Sequence, residues 1–148
     1  MQIGGFVFNE DEAVAEWVSA NLKQHPVFQK FIAIGMVKNG TPIAGVVYHD
    51  HERKYGDIQM SIASTGPDWC TRRSLGVFLG YPFLQLKCNR VTAVCHQRNK
   101  RARDFLKRVG FKEEGVLRQK YYPRDAVVYG MLKKEAAKWL RSDKNESR

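Results

Sequence analysis

The sequence predicts a mixed α/β fold, a single sheet of about six to seven strands with helices on both faces. Three observations carry that expectation. Residues 31–37 and 43–48 are extended apolar runs on either side of Lys38-Asn39-Gly40-Thr41, and Asn-Gly tolerates the positive φ of a tight hairpin. Residues 57–64 and 90–96 are strand-like with a long apolar helix between them, an order that implies parallel pairing through a right-handed crossover. Residues 114–121 and 126–132 add two more strands after a second helix.

Each element has its own signal. Residues 10–22 read as a helix, with Asn9 as its cap, acids in the first turn, and Val14, Trp17, Val18 and Leu22 on one face. A second hairpin turns through residues 50–56. In the strand that follows, Ile58, Met60 and Ile62 alternate with Asp57, Gln59 and Ser61, giving one apolar and one polar face. Residues 64–73, STGPDWCTRR, form a turn-rich loop that opens into a helix carrying Leu75, Phe78, Leu79, Phe83 and Leu86. Pro82 should kink its last turns. Asn99 should cap the next helix, where Ala102, Phe105, Leu106 and Val109 are spaced 3, 1 and 3 apart, and Gly110 should end it in a left-handed conformation. Trp17, Phe78, Phe83, Phe105 and Phe111 sit at core spacings. A last amphipathic helix ends near Arg141. With no repeat or linker, residues 1–141 are expected to form one domain and 142–148 a disordered tail.

With 148 residues, 43% hydrophobic and 27% charged, the chain belongs among globular proteins that bury one core. No apolar run nears the roughly 20 residues that span a bilayer, so no membrane partner is expected. The first residues lack the basic-then-apolar pattern of a secretory signal, and Cys70, Cys88 and Cys95 lack metal-ligand spacing. Reduced thiols in a cytoplasmic protein are the expectation. The net charge of +10 points to polyanionic company: a nucleotide-bearing cofactor, nucleic acid or an acidic protein surface. It also makes a polyamine a less attractive substrate unless an acidic pocket exists.

Residues 81–118 read YPFLQLKCNRVTAVCHQRNKRARDFLKRVGFKEEGVLR. An aromatic-ended helix and a strand precede Asn99-x-x-Ala102, a short helix, Gly110-Phe111 and Glu114-Gly115-x-x-Arg118. This stretch resembles the second half of the GNAT superfamily of N-acetyltransferases. The strand from Asp125 to Leu132 is similar to the closing strand of members that modify protein N-termini. The Trp69-Cys70-Thr71-Arg72 loop and Tyr81-Pro82-Phe83 are similar to small members carried by bacteriophages and prophages. The resemblance covers roughly residues 43–135.

The resemblance implies direct transfer of an acetyl group from acetyl-coenzyme A to a primary amine on a protein or small molecule, in a GNAT-like sheet splayed between its two central parallel strands. The gap would let the pantetheine arm add like an extra strand. A backbone N–H near Ile62 or Ala63 would stabilise the oxyanion. Trp69, Cys70, Thr71, Arg72 and Arg73 at the helix start would take the pyrophosphate. Asn99, Arg103 and Phe105 would complete the cofactor site, and a homodimer is common in the family. Two positions depart from the pattern. The phosphate loop Arg/Gln-x-x-Gly-x-Gly/Ala fits residues 73–78 except at the end. Counting back from Tyr-Pro-Phe places it instead at residues 66–71, with most glycines replaced; this register is preferred because a helix start belongs before Leu75. Leu106 stands where many members hold a tyrosine that protonates the leaving thiolate.

An attacking amine must lose a proton, and Asp57 and His49 are the candidate catalytic residues. Asp57 begins the central strand on its polar face. His49 and His51 flank Asp50 in an H-x-H pattern, which for want of further ligands implies no metal site. Cys70 beside Arg72 at a helix start should have a depressed pKa. Two other readings use the same residues. The basic helix with Arg98, Lys100, Arg101, Arg103, Lys107 and Arg108 could serve a nucleic-acid-binding module, and the eroded loop with Leu106 could mark a coenzyme A-binding protein without catalysis.

Overall fold

The computed structural model describes residues 1–141; the tail expected at 142–148 lies outside the described residues. In chain order the elements are β1 (Gln2–Ile3), β2 (Phe6–Val7), α1 (Asp11–Ala20), β3 (Phe31–Lys38), β4 (Thr41–Glu52), β5 (Asp57–Ser64) and α2 (Arg72–Gly80). A π-helical turn (Tyr81–Gln85) then leads to β6 (Arg90–His96), α3 (Lys100–Val109), β7 (Lys112–Tyr121), β8 (Arg124–Leu132) and α4 (Lys133–Leu140). The strands form one mixed sheet in the order β1-β2-β3-β4-β5-β6-β8-β7. The sheet has eight strands where about six to seven were expected; β1 and β2 are too short to show alternation in sequence.

The local signals hold in most places. Asn39 and Gly40 have φ of 53° and 78° between β3 and β4, as a two-residue hairpin turn requires. Asn99 accepts a hydrogen bond from the Ala102 N–H at 3.2 Å, and Gly110 ends α3 at φ 120°. Asn9 does not cap α1. It takes φ 60° in the turn after β2, and the next residue, Glu10, is the cap position without a side-chain bond. Asp11 instead reaches across to accept from the Ala33 N–H at 3.0 Å, tying α1 to β3.

Helices cover both faces. Val14, Ala15 and Val18 of α1 bury against Ala33, Val47 and Ala63. A Cβ at Gly45 would lie 2.7 Å from Val18 Cγ2, so a bare backbone there lets α1 sit against β4. On the other side α2 and the π-helical turn after it, α3 and α4 cover Val46, Tyr48, Ile58 and Met60 with Leu75, Phe78, Phe83, Leu106 and Ala136. Pro82 has no N–H to give the Phe78 carbonyl four residues earlier. The fully buried Tyr48 hydroxyl donates to that carbonyl at 2.6 Å instead. The helix widens into its π turn there, with the Leu86 N–H reaching the Tyr81 carbonyl.

The sheet splays at its centre. β5 pairs with β4 out to Ser64, and β6 pairs with β8 out to His96. The parallel contact between β5 and β6 has three residue pairs, Asp57–Arg90, Ile58–Val91 and Gln59–Thr92. Side chains fasten this closed end. The Thr92 hydroxyl donates to Asp57 Oδ1 at 3.0 Å, and Arg90 Nε donates to the Thr92 oxygen at 2.9 Å. The Arg90 guanidinium then crosses β8 and grips both carboxylate oxygens of Glu114 on β7. It passes over Gly130, where a Cβ would lie 2.5 Å from Glu114 and 2.7 Å from Arg90.

Two outcomes follow from this packing. Tyr48→Phe leaves the Phe78 carbonyl buried without a donor and should cost about 1–3 kcal/mol in urea unfolding. The loss should shrink in a Pro82→Ala background, which returns a backbone N–H to that carbonyl. The Glu114 carboxyl is held below its ordinary range, first by the hydrogen bond from Arg90. Its contribution is therefore complete above the unfolded value of about 4.3 and fades as pH falls through the lower folded value. Unfolding measured between neutral and acid pH should show a shallower loss in that window for Glu114→Gln than for the wild type.

Candidate functional site

Beyond Gln59 and Thr92 the two central strands diverge around a cleft of about 340 Å3. Its walls are residues 60–64 of β5 and 93–95 of β6, with Trp69, Phe105 and Leu106. Both strands have spent their outer hydrogen-bonding edges on β4 and β8, so their inner edges face this space. Lys23, Arg98, Lys100 and Arg101 gather around it, beside the Asn99-capped start of α3. Arg101 also donates to the Ser64 carbonyl at 3.1 Å, spanning from α3 to the end of β5.

A second cavity, of about 1090 Å3, is enclosed by residues 26–32, residues 48–53, Gln59, Tyr81, Lys120 and Tyr121. Gln24, Ser61 and Val94 border both cavities. The two cavities thus adjoin along a shared wall that includes Ser61 of β5 and Val94 of β6.

A polar relay stands at that wall. The β4–β5 register shifts between His49 and Glu52, and Asp50 takes φ 53°. Such a bulge re-aims side chains. Here it turns the Asp50 carboxylate back onto its neighbour: Oδ2 lies 2.6 Å from His49 Nδ1. His49 Nε2 lies 2.9 Å from Ser61 Oγ. With the Nδ1 proton shared with Asp50, Nε2 is the basic nitrogen and the Ser61 hydroxyl donates to it. The Phe28 ring lies 5.0 Å from the imidazole and holds it in place. His51 parts company with His49 and meets Cys88 Sγ at 3.8 Å. Among the described residues no group of three or more His, Cys, Asp or Glu is placed to hold a metal ion, and no helix is long and apolar enough to cross a membrane.

The residues expected at the site divide into two sets. Ile62, Ala63, Trp69, Asn99 and Phe105 line the cleft, and His49 lines the second cavity. Cys70, Thr71, Arg72, Arg73 and Arg103 line neither. Thr71 and Ser74 form a capping box that takes up their own two N–H groups. Arg73 donates to the Gly4 carbonyl and lies over the Phe6 ring, while Arg72 donates to the Lys138 carbonyl and lies over Trp139. Arg103 serves the Tyr129 hydroxyl and the Gln97 carbonyl and faces Glu113. Lys107 also faces Glu113, so the basic stripe of α3 is partly neutralised within the fold. Asp57 sits in the clamp at the closed end and borders neither cavity. Leu106 is buried in the cleft wall.

The Cys70 thiol environment also departs from the sequence expectation. Burial raises the Cys70 thiol, and Arg108, not Arg72, opposes that rise. The depressed pKa expected from the helix start is therefore corrected: burial outweighs the lowering effect of the nearby cation. Burial pushes Cys95, in the cleft wall, up to about 12. Burial, then Lys23, Arg98 and Arg124, lowers His96, which stacks on Tyr121. Lys23, Gln24, Phe28, Ser61 and Tyr121 were not singled out from sequence for this site. Ser61 had a signal, its place on the polar face of β5; the loop residues had none.

No protein-family profile and no curated protein matches the sequence. Solved structures do match. A variant of the spermidine N-acetyltransferase SpeG from Vibrio cholerae is 14% identical with a TM-score of 0.67, over 97% of this chain and 99% of that one. A GCN5-related N-acetyltransferase from Brucella melitensis is 24% identical with a TM-score of 0.61, over 75% of this chain and 55% of that one. A protein from T. thermophilus described as an acetyltransferase is 22% identical with a TM-score of 0.64, over 74% of this chain and 63% of that one. The chain has the GNAT acetyltransferase fold. It spans less than two thirds of the length of the last two proteins. At these identities the likeness is one of fold, and within that GNAT fold the cleft cations come from Lys23 and the α3 region.

The thiol geometry has a direct consequence. With its pKa raised, Cys70 should react with iodoacetamide at neutral pH more slowly than a free cysteine, followed by mass spectrometry. Arg108→Ala, which removes the one lowering influence, should slow it further.

Proposed function

We propose that the protein is an N-acetyltransferase that uses acetyl-coenzyme A to acetylate a primary amine directly. The observation that carries this reading is the splay itself, a gap in the sheet with a cation-rimmed cleft on one side and a histidine relay on the other. The cleft suits a coenzyme A thioester. Its strand edges offer hydrogen bonds to the amides of a pantetheine arm, and Arg98 and Lys100 offer charge-assisted bonds to phosphates. The bound thioester supplies an electrophilic acetyl carbon and a sulfur leaving group.

The chain's own groups manage the proton. As the C–N bond forms and the C–S bond breaks, the amine proton passes to Ser61 Oγ while the Ser61 proton moves to His49 Nε2. Asp50 stabilises the resulting imidazolium. Asp57, bound to Thr92 and Arg90 away from both cavities, is not offered as the base. With Leu106 in place of a phenol, the thiolate takes its proton from solvent at the cleft mouth. The oxyanion is assigned to an N–H at Ile62 or Ala63, in the stretch of β5 unpaired with β6. On the sequence, the setting is the cytoplasm.

Spermidine is the acceptor of one structural neighbour. In this chain Lys30, Arg53 and Lys120 face the second cavity against the acids Asp50 and Glu52, and Asp50 is already joined to His49. That balance favours the amine of a neutral or acidic carrier, such as a protein amine, over a polycation.

Acetyl-coenzyme A should raise the melting temperature, and Arg98→Glu with Lys100→Glu should weaken its binding about 10- to 100-fold. No stabilisation and no transfer to any amine would remove this reading; stabilisation without transfer would leave a coenzyme-binding protein. His49→Ala should lower kcat about a hundredfold to ten-thousandfold with little change in coenzyme affinity. Spermidine should be acetylated with a kcat/KM about tenfold or more below that of an acidic peptide amine, a difference of ~1.4 kcal/mol.

A further inference from the structure

We infer that Gln24 is the residue that receives the acceptor amine, by accepting a hydrogen bond from its N–H at the junction of the two cavities. The inference rests on the N-acetyltransferase reading and names a binding group for it. Gln24 follows α1 in the loop that roofs the gap, and its side chain borders both the cleft and the second cavity. Its Oε1 is buried and has no hydrogen-bond partner, the one such side-chain atom among the described residues. A buried acceptor without a donor is destabilising, and native proteins keep few of them.

No donor among the described residues meets this oxygen, and the residue stands where the two cavities adjoin. Burial, then the nearby Cys95, holds the Tyr121 hydroxyl above its ordinary value, and neighbouring Gln24 partly offsets that rise. Ser61, on the same shared wall, is committed as a donor to His49 Nε2. An incoming primary amine meets both needs: one N–H satisfies Gln24 Oε1 and another faces the Ser61 oxygen, which passes the proton on. A secondary amide, the product, keeps one N–H and cannot satisfy both oxygens, which favours its release.

The test compares a hexapeptide bearing a free α-amino group with its N-acetylated twin, by calorimetric binding to the protein saturated with coenzyme A and by transfer assays with acetyl-coenzyme A. The wild type should bind the free-amine peptide about tenfold or more tighter than its twin, and Gln24→Leu should erase the difference. In transfer assays Gln24→Leu should raise KM for the amine by a similar factor while KM for acetyl-coenzyme A moves less than about twofold. The unliganded Gln24→Leu protein should melt at a higher temperature than the wild type, since an unpaired buried oxygen is gone; Gln24→Met is a second apolar variant should leucine fit poorly. Equal binding of the two peptides, binding of neither, or lower melting temperatures for both variants with amine affinity unchanged would overturn the inference. Discrimination between the peptides without any transfer would instead uphold Gln24 and sink the acetyltransferase reading.

Discussion

Each of the two central strands is claimed by an outer neighbour, and a short polar clamp ties them to each other at one end only. β4 follows β5 to Ser64 and β8 follows β6 to His96, while the parallel contact stops at Gln59 and Thr92. Antiparallel ladders on the outside satisfy half of each strand's backbone, so the inner halves can diverge without either strand losing its place. Asp57, Thr92, Arg90 and Glu114 fix where divergence begins. The absence of a side chain at Gly130 is what lets that chain of groups cross β8. Both cavities and the relay between them descend from this arrangement.

The start of the helix after the splayed strand is held by contacts within the fold. Thr71 and Ser74 close a capping box over the start of α2, and its two arginines turn to the N-terminal hairpin and to α4. Those contacts stiffen the layer that covers the sheet. The cations that do surround the cleft lie at the neighbouring helix and in the loop after α1, where Arg98, Lys100 and Lys23 are exposed to solvent and to a ligand alike.

The relay, in turn, depends on irregularity. A regular β4 would place His49 and His51 on one face and leave Asp50 on the other. The bulge breaks that alternation, so His49 is held between an acid and a serine while His51 goes to Cys88. Phe28 and Gln24, from a segment with no regular structure, close over the same point. A rigid sheet supplies the position and an irregular loop supplies the contacts, a division of labour common at binding sites.

Much of the fold was legible in the chain itself, because its signals are local. Asn39-Gly40 makes its hairpin and Asn99 and Gly110 bracket α3. The alternation of Ile58, Met60 and Ile62 sets the apolar face of β5. Backbone sterics and a two-residue period act between near neighbours, so no distant contact is needed to read them. Trp69, Asn99, Phe105, Ile62 and Ala63 were expected as cofactor residues from the family resemblance, and all five line the cleft. What the tertiary structure alone decided is where long side chains end. Arg72 and Arg73 found carbonyls and rings far along the chain, Arg103 found the Tyr129 hydroxyl, Asp57 found Thr92, and Gln24 came to rest where the two cavities adjoin. A flexible side chain takes whichever partner the fold brings within reach. That partner is set by strand order and by a bulge, neither of which leaves a periodic mark in the sequence.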